Sequence, residues 1–315
     1  MLEFQIEPLP DSLCVSYKQA KQFVETNEKY SVSLSAMISA MQVPDPVAPN
    51  GSVFCIYKTD GNSKTIEGVF GITHGELLLH NVPFLFENSS LQAAPAEFDS
   101  LRAKLLVQAR QVLKSHNIFS IMGEAASSDF FCEATGKTPN CKRSYILMEY
   151  MPHTAEADFS RFSPKSFLPP ELFMRICSPR DTEALYPLQK EYDIVEVLPP
   201  GTEHNEFSCK IGLKKNLAHH LIYAVFYGNT PVAKAGTNAL GTFYFQIGGV
   251  FTAKEWRNRH LARAAVGAVV KAAAAQGKRA VLFVKTQNEP AKASYLHAGF
   301  EPCANYEICY FGSTA

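Results

Sequence analysis

Residues 256 to 262 read WRNRHLA, which places Arg257, Arg259 and His260 directly ahead of the alanine-dense run ARAAVGAVVKAAAA. Three uses would account for such a cluster: a solvated helix face, a nucleic-acid patch, or a cradle for a small phosphate-bearing ligand. The first turn of a helix leaves backbone N–H groups without intrahelical partners and carries a partial positive charge, a combination that suits an anion. With a helix starting here, the amides of Asn258, Arg259, His260, Leu261 and Ala262 face that anion, and Arg257 and Arg259 add charge-assisted hydrogen bonds. Arg259, Arg263 and Lys271 also share a stripe at separations of four and eight residues, which read locally is a solvated face.

Two neighbouring segments carry further chemistry. In YFQIGGVFT (244–252), Gly248 and Gly249 stand near the end of a strand-like run, where glycine permits a bulge or the close approach of another backbone. A bulge there leaves amides around Phe251, those of Val250 and Thr252, without strand partners. Thr252-Ala-Lys-Glu255 has the spacing of a capping box for a single turn. In NEPAKASYLHAGF (288–300), Asn288 suits a helix cap, Pro290 its first turn and Gly299 its stop. Those roles leave Tyr295 over, either a core tyrosine with a satisfied hydroxyl or a positioned proton donor. Candidate bases are Glu203, His204, Glu206, His219 and His220, and none is distinguished by sequence.

Composition removes several function classes. Lysine plus arginine equals aspartate plus glutamate, 30 against 30. A nucleic-acid binder draws most of its affinity from counterion release and carries a basic excess, so no nucleic-acid partner is expected. The eight cysteines (14, 55, 132, 141, 177, 209, 303 and 309) form no CxxC pair and match no histidine spacing, so the sequence predicts no metal and reads them as reduced, small hydrophobes. GITHGE (71–76) is too sparse for a metal site and reads as a turn. MLEFQIEPLPDSL lacks the basic start and apolar run of a signal peptide, and no window has the apolar length of a spanning helix. The expectation is a cytoplasmic chain without a membrane partner.

The elements that must position these residues follow from periodicity. Residues 151–169 are rich in serine, proline and mixed charge and read as a linker between 1–150 and 170–315. In the second part, LFMRIC reads as a strand, and a helix follows with Asp181 as N-cap. A second helix over 205–220 carries Phe207, Ile211 and Leu217 on one side. Three strands at hairpin spacing come next, then the helix 261–276, a strand 279–285, a helix 289–298 and a last strand near 306–311. The order is β-α-α-β-β-β-α-β-α-β. Residues 1–150 repeat it: strand FQIEP, two helices, three strands, a helix at 97–115, strand NIFSIMGE, helix DFFCEAT and strand SYILMEYM. We read two copies of one α/β unit.

QIGGVFTAKEWRNRHLA, followed by NEPAKASYLHAGF, resembles the acetyl-CoA-binding core of the GNAT acyltransferase superfamily. Arg257 to Ala262 fill its R-x-x-G-x-A/G loop, with His260 where glycine is usual. Asn288, Ala291, Tyr295, Gly299 and Phe300 fill its second pattern. The resemblance implies two GNAT-like domains in tandem, α/β with mixed, mostly antiparallel twisted sheets flanked by helices, the active one at 170–315. It implies acetyl-CoA as acyl donor and an amine, small-molecule or peptide, as acceptor. Val250, Phe251 and Thr252 would hold pantetheine and polarise the thioester, Arg257 to Ala262 would hold pyrophosphate, Asn288 would border the cosubstrate, and Tyr295 would protonate the leaving thiolate. The segment NVPFLFENSSLQAAPAEFDS of the first half has no arginine and no glycine, so that half is read as a degenerate copy that shapes or covers the acceptor pocket. Two alternatives are a CoA-binding or interaction module without catalysis, and an aminoacyl transferase using charged tRNA, which the zero net charge disfavours.

Overall fold

Runs such as SVFCIYK are apolar at consecutive positions, which suits strands covered on both faces. In the computed structural model Val53 to Tyr57 are all buried, and successive residues divide between two cores as the two-residue period of a strand requires. The structure describes residues 3–9, 14–41, 51–61, 63–86, 95–152, 162, 168–198 and 202–311, with only the backbone for 95–97. The expected linker falls mostly outside these residues. Two compact units result, Met1–Leu147 with Ala304–Ala315, and Met148–Cys303.

In the first unit the elements are β1 (Glu3–Pro8), α1 (Val15–Thr26), α2 (Val32–Ala40), β2 (Ser52–Asp60), β3 (Ser63–Ile72), β4 (Leu77–Asn81), α3 (Pro95–Leu113), β5 (Ser120–Glu124) and α4 (Ala125–Thr135), then β6 (Cys141–Tyr150), which ends beyond the unit. Strands β1 to β4 pair antiparallel in sequence order, and β4 pairs parallel with β5. Phe54, Ile56 and Phe70 join Leu105, Ala109, Phe130 and Phe131 of α3 and α4. Val53, Cys55 and Val69 join Tyr17, Val24, Leu34 and Ile38 of α1 and α2. β4 stops at Asn81 and gives way to a 3-10 turn, Pro83–Leu85, because Pro83 has no N–H for a ladder. The segment around His74 forms the turn between β3 and β4, where His74 Nε2 accepts from the Gly51 amide at 3.1 Å.

The second unit contains β7 (Leu172–Ile176), α5 (Thr182–Tyr192), a π-turn (Asp193–Val197), α6 (Glu206–His219), β8 (Ile222–Tyr227), β9 (Thr230–Leu240), β10 (Tyr244–Thr252), α7 (Leu261–Ala274), β11 (Arg279–Lys285) and α8 (Glu289–Ala298). Strands β7 to β10 are antiparallel neighbours, and β10 pairs parallel with β11. The last strand, β12 (Phe300–Tyr310), begins here, but its Tyr306–Tyr310 portion pairs with Ser120–Glu124 of the first unit's sheet. The two halves of the chain share the β-α-α-β-β-β-α-β-α-β order expected from sequence. Asp181 does precede α5. Its carboxylate, however, pairs twice with Arg175 (2.6 and 3.0 Å) and closes a box with the Ser178 amide (2.8 Å), and Arg175 above all lowers its pKa to about 2.

The face expected for α6 is corrected. Phe207 and Ile211 are exposed, and Leu213 and Leu217 carry the burial. These are two i, i+4 pairs on different sides of the helix, and periodicity alone does not say which one meets the sheet.

One buried histidine gives the first unit a pH response. His80 of β4 is 2% exposed, hydrogen-bonded through Nε2 to Ser128 Oγ at 2.9 Å, and its ring occupies the space a side chain at Gly123 would need. Burial lowers its pKa to about 3. The folded pKa lies below the unfolded value near 6.5, so its stabilising contribution is full above pH 6.5 and is lost as pH falls toward 3, by about 1.4 kcal/mol per pH unit. Urea unfolding at pH 7 and pH 4.5 should show a steeper loss for the native chain than for His80→Gln. Equal losses would show that His80 does not couple to folding.

Candidate active site

The glycine pair of β10 does make a bulge. From Gly248 to Phe251 the strand advances three residues while β9 advances two, from Gly236 to Lys234. Gly249 supplies the left-handed conformation this requires, with φ of +60°. At the other end, Tyr244 and Arg279 are paired across β10 and β11, and both side chains engage the buried Glu149 of β6, Tyr244 Oη at 2.9 Å and Arg279 through an ion pair. Pairing of β10 with β11 runs only to Ile247 and Leu282, although the strands continue to Thr252 and Lys285. The two are clamped at the base and part at the bulge.

Lys234 holds the bulge. It stands opposite Phe251, is 4% exposed, and donates from Nζ to the Gly249 carbonyl at 2.8 Å. The ammonium also lies 4.3 Å from the centre of the Tyr192 ring. Burial lowers its pKa to about 8, against the opposing pull of Asp193. A trans peptide sets C=O and N–H on opposite sides, so the Val250 N–H points away from Lys234. A cation on the carbonyl polarises that N–H and makes it a stronger donor. Sequence reading passed over Lys234; its signal was a single lysine inside an otherwise apolar strand, VAKAG.

After β10 the expected capping box is absent. The 3-10 turn Lys254–Trp256 has Ala253 as its N-cap with no side-chain bond, and the buried Thr252 Oγ1 has no hydrogen-bond partner. Arg257 Nε donates to the Thr252 carbonyl at 3.2 Å, and the Arg259 guanidinium lies 4.8 Å from the Trp256 ring centre. Asn258 and His260 are both left-handed, with φ of +61° and +59°. His260 is the N-cap of α7, outside its helical turn. A positive φ favours glycine; histidine and asparagine are among the residues that tolerate it. The amides of Leu261 and Ala262 precede the first intrahelical bond of α7, from Ala264 to His260 at 3.1 Å. Arg263 is 7% exposed, so the stripe it was thought to share with Arg259 and Lys271 is not a solvated face.

Asn288 caps α8, its Oδ1 accepting from the Ala291 amide at 3.2 Å, and Gly299 ends the helix at φ of +95°. Tyr295 is 9% exposed; burial, then Tyr192 and Glu196, raise its pKa and keep the phenol protonated. Tyr192 lies under Lys234 and packs against Phe251, with ring centres 6.0 Å apart. Of the candidate bases, Glu203 and His219 are exposed, Glu206 is exposed and paired with Lys210 at 2.9 Å, and His220 bonds Thr237 at 3.2 Å. His204 differs: its side chain is 9% exposed and its Nε2 lies 3.9 Å from Asp193 Oδ2. In the first half, the equivalent strand β4 pairs with β3 without a register shift.

Residues 182–300 match the family model described as Acetyltransferase (GNAT) family. No curated protein sequence matches the chain. Among solved structures, a tandem GNAT protein from the clavulanic acid biosynthesis pathway is 10% identical, with 99% of this chain and 100% of that one covered at a TM-score of 0.52. A Drosophila protein of 11% identity covers 97% and 98% at 0.59. A GNAT acetyltransferase from Colwellia psychrerythraea is 14% identical over 98% and 100%, at 0.49. For the first two of these the likeness is one of fold, and it extends over both halves of the chain. The bulged strand, the left-handed loop and the α7 start all fall inside the matched segment, so residues 182–300 are similar to the acetyltransferase domains of the GNAT family.

Proposed function

We propose that residues 170–315 transfer an acetyl group from acetyl-CoA to an amine, small-molecule or peptide. The observation that carries this reading is the parting of β10 from β11 at the Gly249 bulge, directly ahead of a left-handed loop and a helix start. The residues present fit the cosubstrate: an opened strand edge at Val250 to Thr252 accepts the amides of a pantetheine arm as an added strand would. The orphaned Thr252 hydroxyl at the end of that edge is a polar group in want of a partner. The loop Arg257–Ala262 offers amides and two guanidinium groups to a pyrophosphate. The cosubstrate supplies an activated acetyl thioester; the remaining work belongs to the chain.

In this reading the Val250 N–H, polarised through the Gly249 peptide by Lys234, donates to the thioester carbonyl as charge develops on its oxygen. The amine nitrogen attacks the carbonyl carbon, the C–S bond breaks, and Tyr295 gives its proton to the departing sulfur. The proton released by the amine leaves through water. Asn288 acts on α8 as a cap and reaches the site only through the helix it starts. The first half of the chain is the same unit without the bulge, and we read it as a degenerate copy.

Isothermal calorimetry should show saturable CoA binding in the micromolar-to-millimolar range, with none detected being the result that refutes the reading. Arg257→Ala should weaken it by about 1–3 kcal/mol, the scale of a charged hydrogen bond; unchanged affinity would remove the loop from the phosphate site. His260→Gly relieves a left-handed residue, so it should raise thermal stability by up to about 1 kcal/mol and keep CoA affinity, whereas His260→Val should lower both. Thiol release over a panel of amines should show Tyr295→Phe lowering kcat by roughly 100-fold or more with little change in KM. Lys234→Met, in the same assay, should lower kcat by about 10-fold and Lys234→Arg should recover part of it. A KM effect alone would assign these residues to binding.

A further inference from the structure

We propose that Asp193, His204 and Cys209 form a binding site for a divalent ion of the zinc class. The site is built by two local devices. Asn205 caps α6, its Oδ1 accepting from the Ser208 amide at 2.8 Å. This makes His204 and Cys209 the residues before the cap and four after it, positions whose side chains meet across a helix start. Asp193 opens the π-turn that ends α5, a helix packed on α6, and such turns re-aim side chains at functional sites.

The carboxylate is oriented from behind. Gln189 Nε2 donates to Asp193 Oδ1 at 2.8 Å, which leaves Oδ2 facing Cys209 Sγ at 3.2 Å and His204 Nε2 at 3.9 Å. A hydrogen bond to the far oxygen of a ligating carboxylate is the usual support of a metal ligand. His204 Nε2 is buried without a hydrogen-bond partner, and its side chain is 9% exposed. At 3.9 Å the carboxylate does not satisfy it, and a buried polar nitrogen left alone costs about 1–3 kcal/mol.

The three donor atoms lie within 4.8 Å of one another. Tetrahedral zinc bonds of 2.0–2.3 Å place ligand atoms roughly 3.3–3.6 Å apart, so the set closes by small side-chain rotations. Imidazole, thiolate and carboxylate together favour a borderline-soft ion over magnesium or calcium. Three protein ligands leave a fourth position for water. The thiol must give up its proton to the ion, so affinity rises with pH. The ammonium of Lys234 acts on Asp193 and Cys209 but is bonded to Gly249, and its repulsion keeps affinity below that of a closed structural zinc site.

The test is Co2+ titration of the full-length, reduced, chelator-treated protein at pH 8. One equivalent should produce a thiolate-to-cobalt charge-transfer band and the intense visible bands of four-coordinate cobalt, and Zn2+ should displace them. Cys209→Ser should abolish the charge-transfer band. His204→Ala should weaken binding 10- to 100-fold, and Cys177→Ser should change nothing. A weak six-coordinate spectrum, or a band that survives Cys209→Ser, overturns the site. Circular dichroism of each variant separates lost ligands from lost folding. The readout uses no acetyl-CoA, so its result stands apart from the acyltransferase reading.

Discussion

The hydrogen bond from Lys234 to the Gly249 carbonyl is the contact on which the second unit's candidate site depends. A bulge leaves backbone groups out of the ladder, and buried backbone groups must be paired somewhere. Lys234 pairs one of them with a charge, from a position 4% exposed. Burying an ammonium is costly, and its lowered pKa, about 8, records that cost. Three features offset it: the carbonyl, the Tyr192 ring beneath, and the field of Asp193. Tyr192 and Asp193 end α5 and begin the π-turn, so the backbone of the bulge is tied to the helices over it.

The strands answer to a balance between the two ends of β10. Glu149 gathers Tyr244 and Arg279 at the base, where β10 and β11 still exchange backbone bonds. Beyond Ile247 the bulge turns β10 away and the ladder ends. The opened edge, the arginine-bearing loop and Tyr295 then follow in chain order; the bulge and the α8 cap obey short-range rules, while burial keeps the Tyr295 phenol protonated. In the proposed reading they serve the pantetheine arm, the pyrophosphate and the sulfur of one molecule.

Several of these rules were legible in the sequence. The bounds of β11 and α8 were readable to the residue, because an apolar run between charged ends and an Asn-x-Pro start with a Gly stop are local signals. The bulge was legible too, since a glycine pair in a strand has few other uses. Other features depended on neighbours. Phe207 and Leu217 are equally apolar, and only the sheet beneath α6 selects one. Thr252 has the spacing of a cap, yet the chain leaves β10 at an angle that makes Ala253 the N-cap. The buried state of Arg263 has no sequence signature, because an arginine stem packs as readily as its head solvates.

By itself the sequence determined the element order of both halves, the glycine bulge and the charged helix start, because periodicity, capping and turn chemistry act over a few residues. The left-handed conformation of His260, the seat of Lys234 under Gly249, and the convergence of Asp193, His204 and Cys209 were decided by tertiary structure alone. The donors stand at 193, 204 and 209, a spacing that matches no metal pattern. It becomes a cluster only when a π-turn and a helix cap meet between two packed helices. Local rules act along the chain, and convergence is a property of the packing.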